Sequence, residues 1–404
     1  MESQNPPVLE PKPRIRRLTW LLLALLALTA FSASYTQTRP RDLSAPEVVS
    51  PTGHMLDVFE QARPATLRIE GRLNNNATPV GVGTGFFISE DGLLLTAYHV
   101  VDTTEIRTPL DYIAVDVDEN EYRLELLSFD AFLDLALLQA DVSEPVSFLP
   151  LAQLDPDVGA EIVAIGNSRG DFLQGREGKV SRLGINSPEV RFANNTIELT
   201  AALQPGDSGG PVLNDEGQVI GVVSYISYRP DELDNQADSN ATTGFVPPLL
   251  RGFTLPDFAS YAVPVVDNND VLEALLAGEV RDIPVIGFSV GFRTPLGLID
   301  NYDPELVIRG FPNLGKRPGV IVGQVQPDGP GGLAGLNDMT IADNFVQAAD
   351  VIVAIDDIET PSFPKLLEVL YQKGVGQTVE ITVQRGNATL KLQLDLGAKR
   401  QVFN

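Results

Sequence analysis

Between residues 65 and 266 the apolar positions come in short runs, at 65–70, 83–89, 93–98, 136–139, 162–165 and 219–224, each broken by Gly, Asn, Asp or Pro. Runs of that length, rich in β-branched residues and bounded by turn formers, predict strands. Amphipathic patterns a dozen residues long are scarce here. The segment 56–266 is therefore expected to form closed or sandwiched antiparallel β-structure, since an α/β sheet would need helices between its strands. Residues 227–257, rich in Pro, Asp and Asn, are too long and polar for a hairpin connection and read as a functional or mobile loop.

Beyond residue 266 the pattern predicts a helix within 267–280, then a second unit over 281–397. That unit has strands at 320–325, 350–355 and 379–385 and a helix within 362–373. At the other end, the basic segment 1–17, with Lys12, Arg14, Arg16 and Arg17, precedes an uncharged apolar run at 18–35. About 20 apolar residues span a bilayer, so this run reads as a transmembrane anchor. Its Ser32-Ala33-Ser34 end also resembles a signal-peptidase site, which would give a secreted chain instead. In either case the basic flank is expected to stay cytoplasmic and the rest of the chain to lie outside. Residues 36–55, without periodicity, read as a linker.

Composition narrows the function. At 404 residues the chain exceeds one hydrophobic core, so two domains are expected. A formal net charge of -25 opposes binding to phosphate backbones, which argues against nucleic acid as a partner. The absence of cysteine excludes disulfides, thiolate metal sites and cysteine catalysis. No metal cluster, phosphate-cradling loop or cofactor motif appears in the sequence, so neither metal nor cofactor is expected.

Candidate chemistry centres on Gly206-Asp207-Ser208-Gly209-Gly210-Pro211, whose glycines permit a tight turn that exposes a serine hydroxyl. Serine is a weak nucleophile without a base, and the chain has only two histidines. His54 falls in the expected linker, whereas His99 follows an apolar strand-like run and is the candidate base. Asp134, within Phe132-Leu133-Asp134-Leu135-Ala136-Leu137-Leu138, is a carboxylate among apolar neighbours and is preferred over Asp130 as the group that orients the imidazole. The order His99, Asp134, Ser208 is that of the chymotrypsin-type triad, not the subtilisin or α/β-hydrolase one.

Thr96-Ala97-Tyr98-His99-Val100-Val101, Asp134-Leu135-Ala136-Leu137-Leu138, Gly166-Asn167, the Ser208 run and Tyr261-Ala262-Val263-Pro264 together resemble the HtrA/Deg serine proteases. The resemblance covers about residues 56–396. It implies a mostly β protein, with a double β-barrel protease domain over 56–266 and the triad in the cleft between barrels. It also implies a homotrimer and ATP-independent cleavage of unfolded or regulatory envelope proteins. The N–H groups of Gly206 and Ser208 are implied to form the oxyanion hole. Six residues before the serine, where trypsin-like enzymes carry an acid, the chain has Ala202. With Leu203 beside it, this predicts a small or aliphatic residue on the acyl side of the scissile bond.

Pro284-Val285-Ile286-Gly287-Phe288-Ser289 resembles the PDZ loop that receives a terminal carboxylate, its peptide-binding residues being Val285, Ile286, Gly287 and Phe288. Pro330-Gly331-Gly332-Leu333-Ala334-Gly335-Leu336 and the strands that follow recur in order in HtrA-type PDZ domains. The segment 337–348 is an insertion relative to that pattern. Two further readings remain open at this stage: a catalytically silent PDZ chaperone or scaffold at the membrane, and a protease held inactive until a C-terminal peptide reaches the PDZ domain.

Overall fold

The computed structural model describes residues 48–403 apart from 74–77, 103–109, 169–171, 187–194, 229–257, 268–269, 291–292, 295–296, 299–318 and 343–344. The apolar run 18–35, the segment 74–77 and most of the loop expected at 227–257 lie outside the described residues. Among the described residues, no helix is long and apolar enough to cross a membrane.

Six antiparallel strands form the first barrel: β1 (Thr66–Arg72), β2 (Pro79–Phe87), β3 (Leu93–Ala97), β4 (Asp111–Val115), β5 (Glu121–Asp130) and β6 (Leu135–Ala140). They run in the order β5-β4-β1-β2-β3-β6, and pairing of β5 with β6 closes the ring. A second closed barrel holds β7 (Glu161–Gly166), β8 (Gln174–Ile185), β9 (Thr196–Leu199), β10 (Pro211–Leu213), β11 (Val219–Tyr228) and β12 (Phe258–Pro264).

Side chains alternate across a strand, and here both faces of several strands are buried. On β6, Ala136 and Leu138 fill the first barrel, while Leu135 and Leu137 face a core shared with the second. On β7, Ile162 and Ala164 fill the second barrel, and Val163 and Ile165 meet that shared core. This is why these segments read as unbroken apolar runs without polar alternation. Burying each such Leu or Ile contributes about 1.5–3 kcal/mol, so the junction between the barrels is as strongly packed as their interiors.

The segment expected as linker belongs to the fold from residue 48 onward. Glu177 N donates to Val49 O at 2.9 Å, and helix α1 (Gly53–Ala62) buries Met55, Val58, Phe59 and Ala62 against the shared core. His54 is therefore helical, and its Nε2 bonds to the Asp215 carbonyl at 2.7 Å. The run expected as a strand over 93–98 ends at Ala97, and a one-turn helix, α2 (Tyr98–Val101), follows.

After helix α3 (Asp270–Leu276), strand β13 (Val280–Arg281) adds in parallel to β5. The C-terminal unit then contains β14 (Pro284–Val285), β15 (Phe288–Val290), β16 (Arg293–Thr294), β17 (Gly297–Leu298) and β18 (Val320–Val325). These are followed by α4 (Pro330–Leu333), β19 (Thr340–Ala342), β20 (Phe345–Ala348), β21 (Asp350–Ile355), β22 (Ile358–Glu359) and α5 (Phe363–Tyr371). The chain closes with β23 (Thr378–Arg385), β24 (Ala388–Asp395), β25 (Gly397–Ala398) and α6 (Lys399–Phe403). Its main sheet has the order β15-β18-β21-β23-β24. Helix α5 begins at Ser362, whose Oγ accepts from Lys365 N as an N-cap, and packs Leu366, Val369 and Leu370 into the core. The expected insertion 337–348 forms the β19–β20 hairpin.

Candidate active site at the junction of the barrels

Pairing of β3 with β6 sets Ala97 opposite Leu135, so the residues just after β3 and just before β6 meet. Tyr98 N donates to Asp134 O at 3.0 Å, and His99 N donates to Asp134 Oδ1 at 2.9 Å. The His99 Nδ1 then lies 2.8 Å from Asp134 Oδ2. With Nδ1–H donating to this carboxylate, Nε2 is left as the acceptor on the open side. Asp134 sits at φ 58°, a left-handed conformation that Asp tolerates better than most residues. Ser224 Oγ, from β11, also donates to Asp134 Oδ2, at 2.5 Å.

The imidazole is half-exposed. Partial burial disfavours its charged form, but the Asp134 carboxylate, with a smaller contribution from Asp102, outweighs this and raises the His99 pKa above its ordinary 6.5. Asp130, the competing carboxylate, is used differently. Its Oδ1 accepts from Phe132 N and Leu133 N at 2.9 Å each, and its Oδ2 faces Arg281 at 3.2 Å. It caps the turn that leads to Asp134.

The Ser208 loop is held from both barrels. Thr84 of β2 donates through Oγ1 to Gly206 O at 2.7 Å and through N to Ser208 O at 2.8 Å. Asn167 Nδ2 donates in turn to Thr84 Oγ1 at 3.0 Å, and Gly209 N donates to Val223 O at 2.7 Å. Gly206 and Gly209 have φ of 106° and 83°. A Cβ on Gly209 would fall 2.1 Å from Thr84 O and from Thr96 Oγ1, so only glycine fits. The Ser208 hydroxyl is 3.5 Å from the Ser224 carbonyl, and no hydrogen bond joins it to His99 among the described residues.

Ala202 and Leu203 are buried in the second barrel, with Leu203 N donating to Ser260 Oγ at 3.2 Å. The other loop singled out in the sequence, 285–288, lies far along the chain. Ile286 is buried in the C-terminal core, Gly287 has φ 88°, and Gln326 N and Gly331 N donate to the Gly287 and Ile286 carbonyls at 2.9 and 2.7 Å. Phe288 begins β15, which pairs only with β18 among the described residues and so presents its other edge. A Cβ on Gly287 would approach Val402 of α6 to 3.0 Å. Thr84, Arg176 and Ser224 were not singled out by the sequence as site residues; each is brought to the site by strand register.

Residues 83–222 match the trypsin-like peptidase domain family, and residues 284–396 match the PDZ domain family. The chain is 29% identical over 324 residues to the probable periplasmic serine endoprotease DegP-like of Rickettsia conorii, covering 78% of this chain and 54% of that protein. The protein of the same description from Pseudomonas fulva is 28% identical over 359 residues, covering 87% and 63%. In both domains and their order the chain is similar to the HtrA/Deg family. It spans about half to two thirds of the length of these curated relatives. The serine endoprotease from Yersinia pestis is a solved structure similar to it, at 20% identity and a TM-score of 0.43, covering 87% of this chain and 99% of that one. Within the HtrA/Deg frame, the two barrels carry the peptidase-like half and β14–β25 the PDZ half.

Proposed function

We propose that this chain is a serine endopeptidase in which Ser208 attacks the scissile carbonyl, His99 moves the proton and Asp134 orients and stabilises the imidazolium. The observation that carries the reading is the His99–Asp134 pair, 2.8 Å apart, set beside the glycine-bounded Ser208 loop at the junction of two barrels. Serine becomes nucleophilic only when a base takes its proton, and the pairing on Nδ1 leaves Nε2 as that base. The N–H groups of Gly206 and Ser208 are the proposed oxyanion donors, placed in a loop that Thr84 fixes through two carbonyls. Ala202 and Leu203, apolar and uncharged, suit a small or aliphatic side chain on the acyl side.

The PDZ half is proposed to take a C-terminal peptide along the open edge of β15, with its carboxylate at Val285, Ile286, Gly287 and Phe288. The 18-residue-scale apolar run at 18–35 is proposed as a membrane anchor, about long enough to span a bilayer. The peptidase half would then face an extracytoplasmic space, in keeping with relatives described as periplasmic. A homotrimer acting in protein quality control completes the proposal. The Ser208 hydroxyl, engaged with the Ser224 carbonyl, favours a resting state that substrate or a PDZ ligand converts.

The test is casein hydrolysis by residues 37–404, wild type against Ser208→Ala, with and without a hydrophobic C-terminal peptide. Serine-dependent cleavage without peptide indicates a constitutive protease. Cleavage only with peptide indicates a PDZ-gated one. No Ser208-dependent cleavage in either condition overturns the reading in favour of a silent peptide-binding scaffold.

A further inference from the structure

The residue between the two proposed oxyanion donors is itself charged and fully buried. Asp207 has 0% exposure, and a Cβ on Gly166 would fall 2.2 Å from its Oδ1, so the neighbouring strand end is glycine where the carboxylate needs room. The carboxylate accepts from Ser168 N at 3.0 Å, from Gln204 N at 2.9 Å and from Arg176 Nε at 3.1 Å. Arg176, on β8 opposite Ala164 of β7, is 4% exposed, and its guanidinium also donates to Ser168 Oγ.

Removing one partner of a buried ion pair is strongly destabilising, because the other charge is left without compensation. Asp207 can therefore stay inside only while Arg176 meets it. Since Gly206 and Ser208 flank that side chain directly, its inward position sets the course of the backbone on both sides. We propose that Arg176 is a positioning residue for catalysis: it latches Asp207 inward and so holds the Gly206–Ser208 loop in the shape that receives the oxyanion. This inference rests on the peptidase reading of Ser208.

The test measures kcat, KM and the pH profile of a peptide substrate for wild type, Arg176→Met and the double variant Arg176→Met/Asp207→Asn. Loss of an oxyanion donor typically lowers kcat about 10²–10³-fold, and Arg176→Met is expected to fall in that range. KM should stay within about 3-fold and the acid limb of the profile should not move, because His99 and Asp134 are untouched. The double variant removes both charges and leaves none buried alone, so it is expected to recover kcat to within about 10-fold of wild type. Should Arg176→Met fail to fold, the double variant decides by the same limit. A folded Arg176→Met with unchanged kcat, or a folded double variant about 10²-fold slower than wild type, overturns the proposal. Both results require an active wild type. A wild type without Ser208-dependent hydrolysis instead overturns the peptidase reading, and this inference with it.

Discussion

The hydroxyl of Ser224 donates to Oδ2 of Asp134, the same oxygen that receives His99 Nδ1. Asp134 belongs to the first barrel and Ser224 to β11 of the second, so the bond crosses the junction at which the proposed chemistry takes place. It stabilises the ionised carboxylate and limits its rotation. Ser224→Ala should leave the His99–Asp134 contact in place but less confined. A hydrogen bond to a charged group contributes about 1.5–3 kcal/mol, so kcat/KM is expected to fall about 10-fold and the melting temperature by a few degrees. An unaltered kcat/KM would show that His99, through Nδ1 and its backbone N–H, orients Asp134 without Ser224.

The electrostatics of His99 predict a pH dependence. Its pKa is raised above 6.5 by Asp134, with Asp102 adding to the effect, so the neutral, base-competent imidazole predominates only above that raised value. The acid limb of kcat/KM is therefore expected above pH 6.5. Removing the carboxylate charge in Asp134→Asn should shift the limb downward and lower kcat by about 10⁴-fold. The same raised value gives His99 a stabilising contribution that is fully present below pH 6.5 and is lost as pH rises through the folded pKa. Histidine NMR titration, on a chain with only two histidines, checks the assignment directly.

The loop glycines give a sharper structural prediction. Gly209→Ala would place a methyl 2.1 Å from Thr84 O and Thr96 Oγ1 at a φ of 83°, and backbone cannot retreat as a flexible side chain would. Gly335, by comparison, has a φ of 91° but nothing within 4 Å of its Cβ position. Gly209→Ala is expected to abolish activity and lower thermal stability. Gly335→Ala should cost only the strain of a left-handed residue, about 1–2 kcal/mol, without loss of hydrolysis. Comparable stability losses in the two variants would refute the steric account.

The contrast between legible and illegible residues follows from chain distance. Gly206 to Pro211 and Asp134 to Leu138 are contiguous motifs, and His99 stood out because only two histidines exist. Arg176 lies 31 residues from Asp207 and Thr84 lies 122 from Gly206. No local pattern announces such pairs; closure of the barrels creates them. A hint did exist in Asp207 itself, an acid in a glycine turn that would need a cation if buried. Helix α1 escaped for a different reason. Met55, Val58, Phe59 and Ala62 do follow a helical period, but over only ten residues, after a Pro-Thr-Gly stretch that reads as linker. Its packing on the shared core, not its propensity, makes it a helix.

The last prediction concerns how the end of the chain bears on the His99 helix. Lys399 Nζ lies 2.7 Å from Asp102 Oδ2, and Asp102 is the residue that ends α2. Lys399 N also donates to Ile283 O at 2.9 Å, and Arg400 N to Asp282 Oδ2 at 3.0 Å, so α6 is tied to the peptidase half and to the segment joining the halves. The Asp102 carboxylate is largely buried and Lys399 about one quarter exposed, which places the pair between a surface bridge and a buried one. Lys399→Met keeps the aliphatic stem but removes the charge, leaving Asp102 less well compensated. A stability loss of about 1–2 kcal/mol is expected, visible as a fall in melting temperature. Because the Asp102 charge then acts on His99 with less opposition, the acid limb of kcat/KM should move slightly upward. No movement, with an intact fold, would mean that the C-terminal helix only braces the two halves and does not reach the imidazole electrostatically.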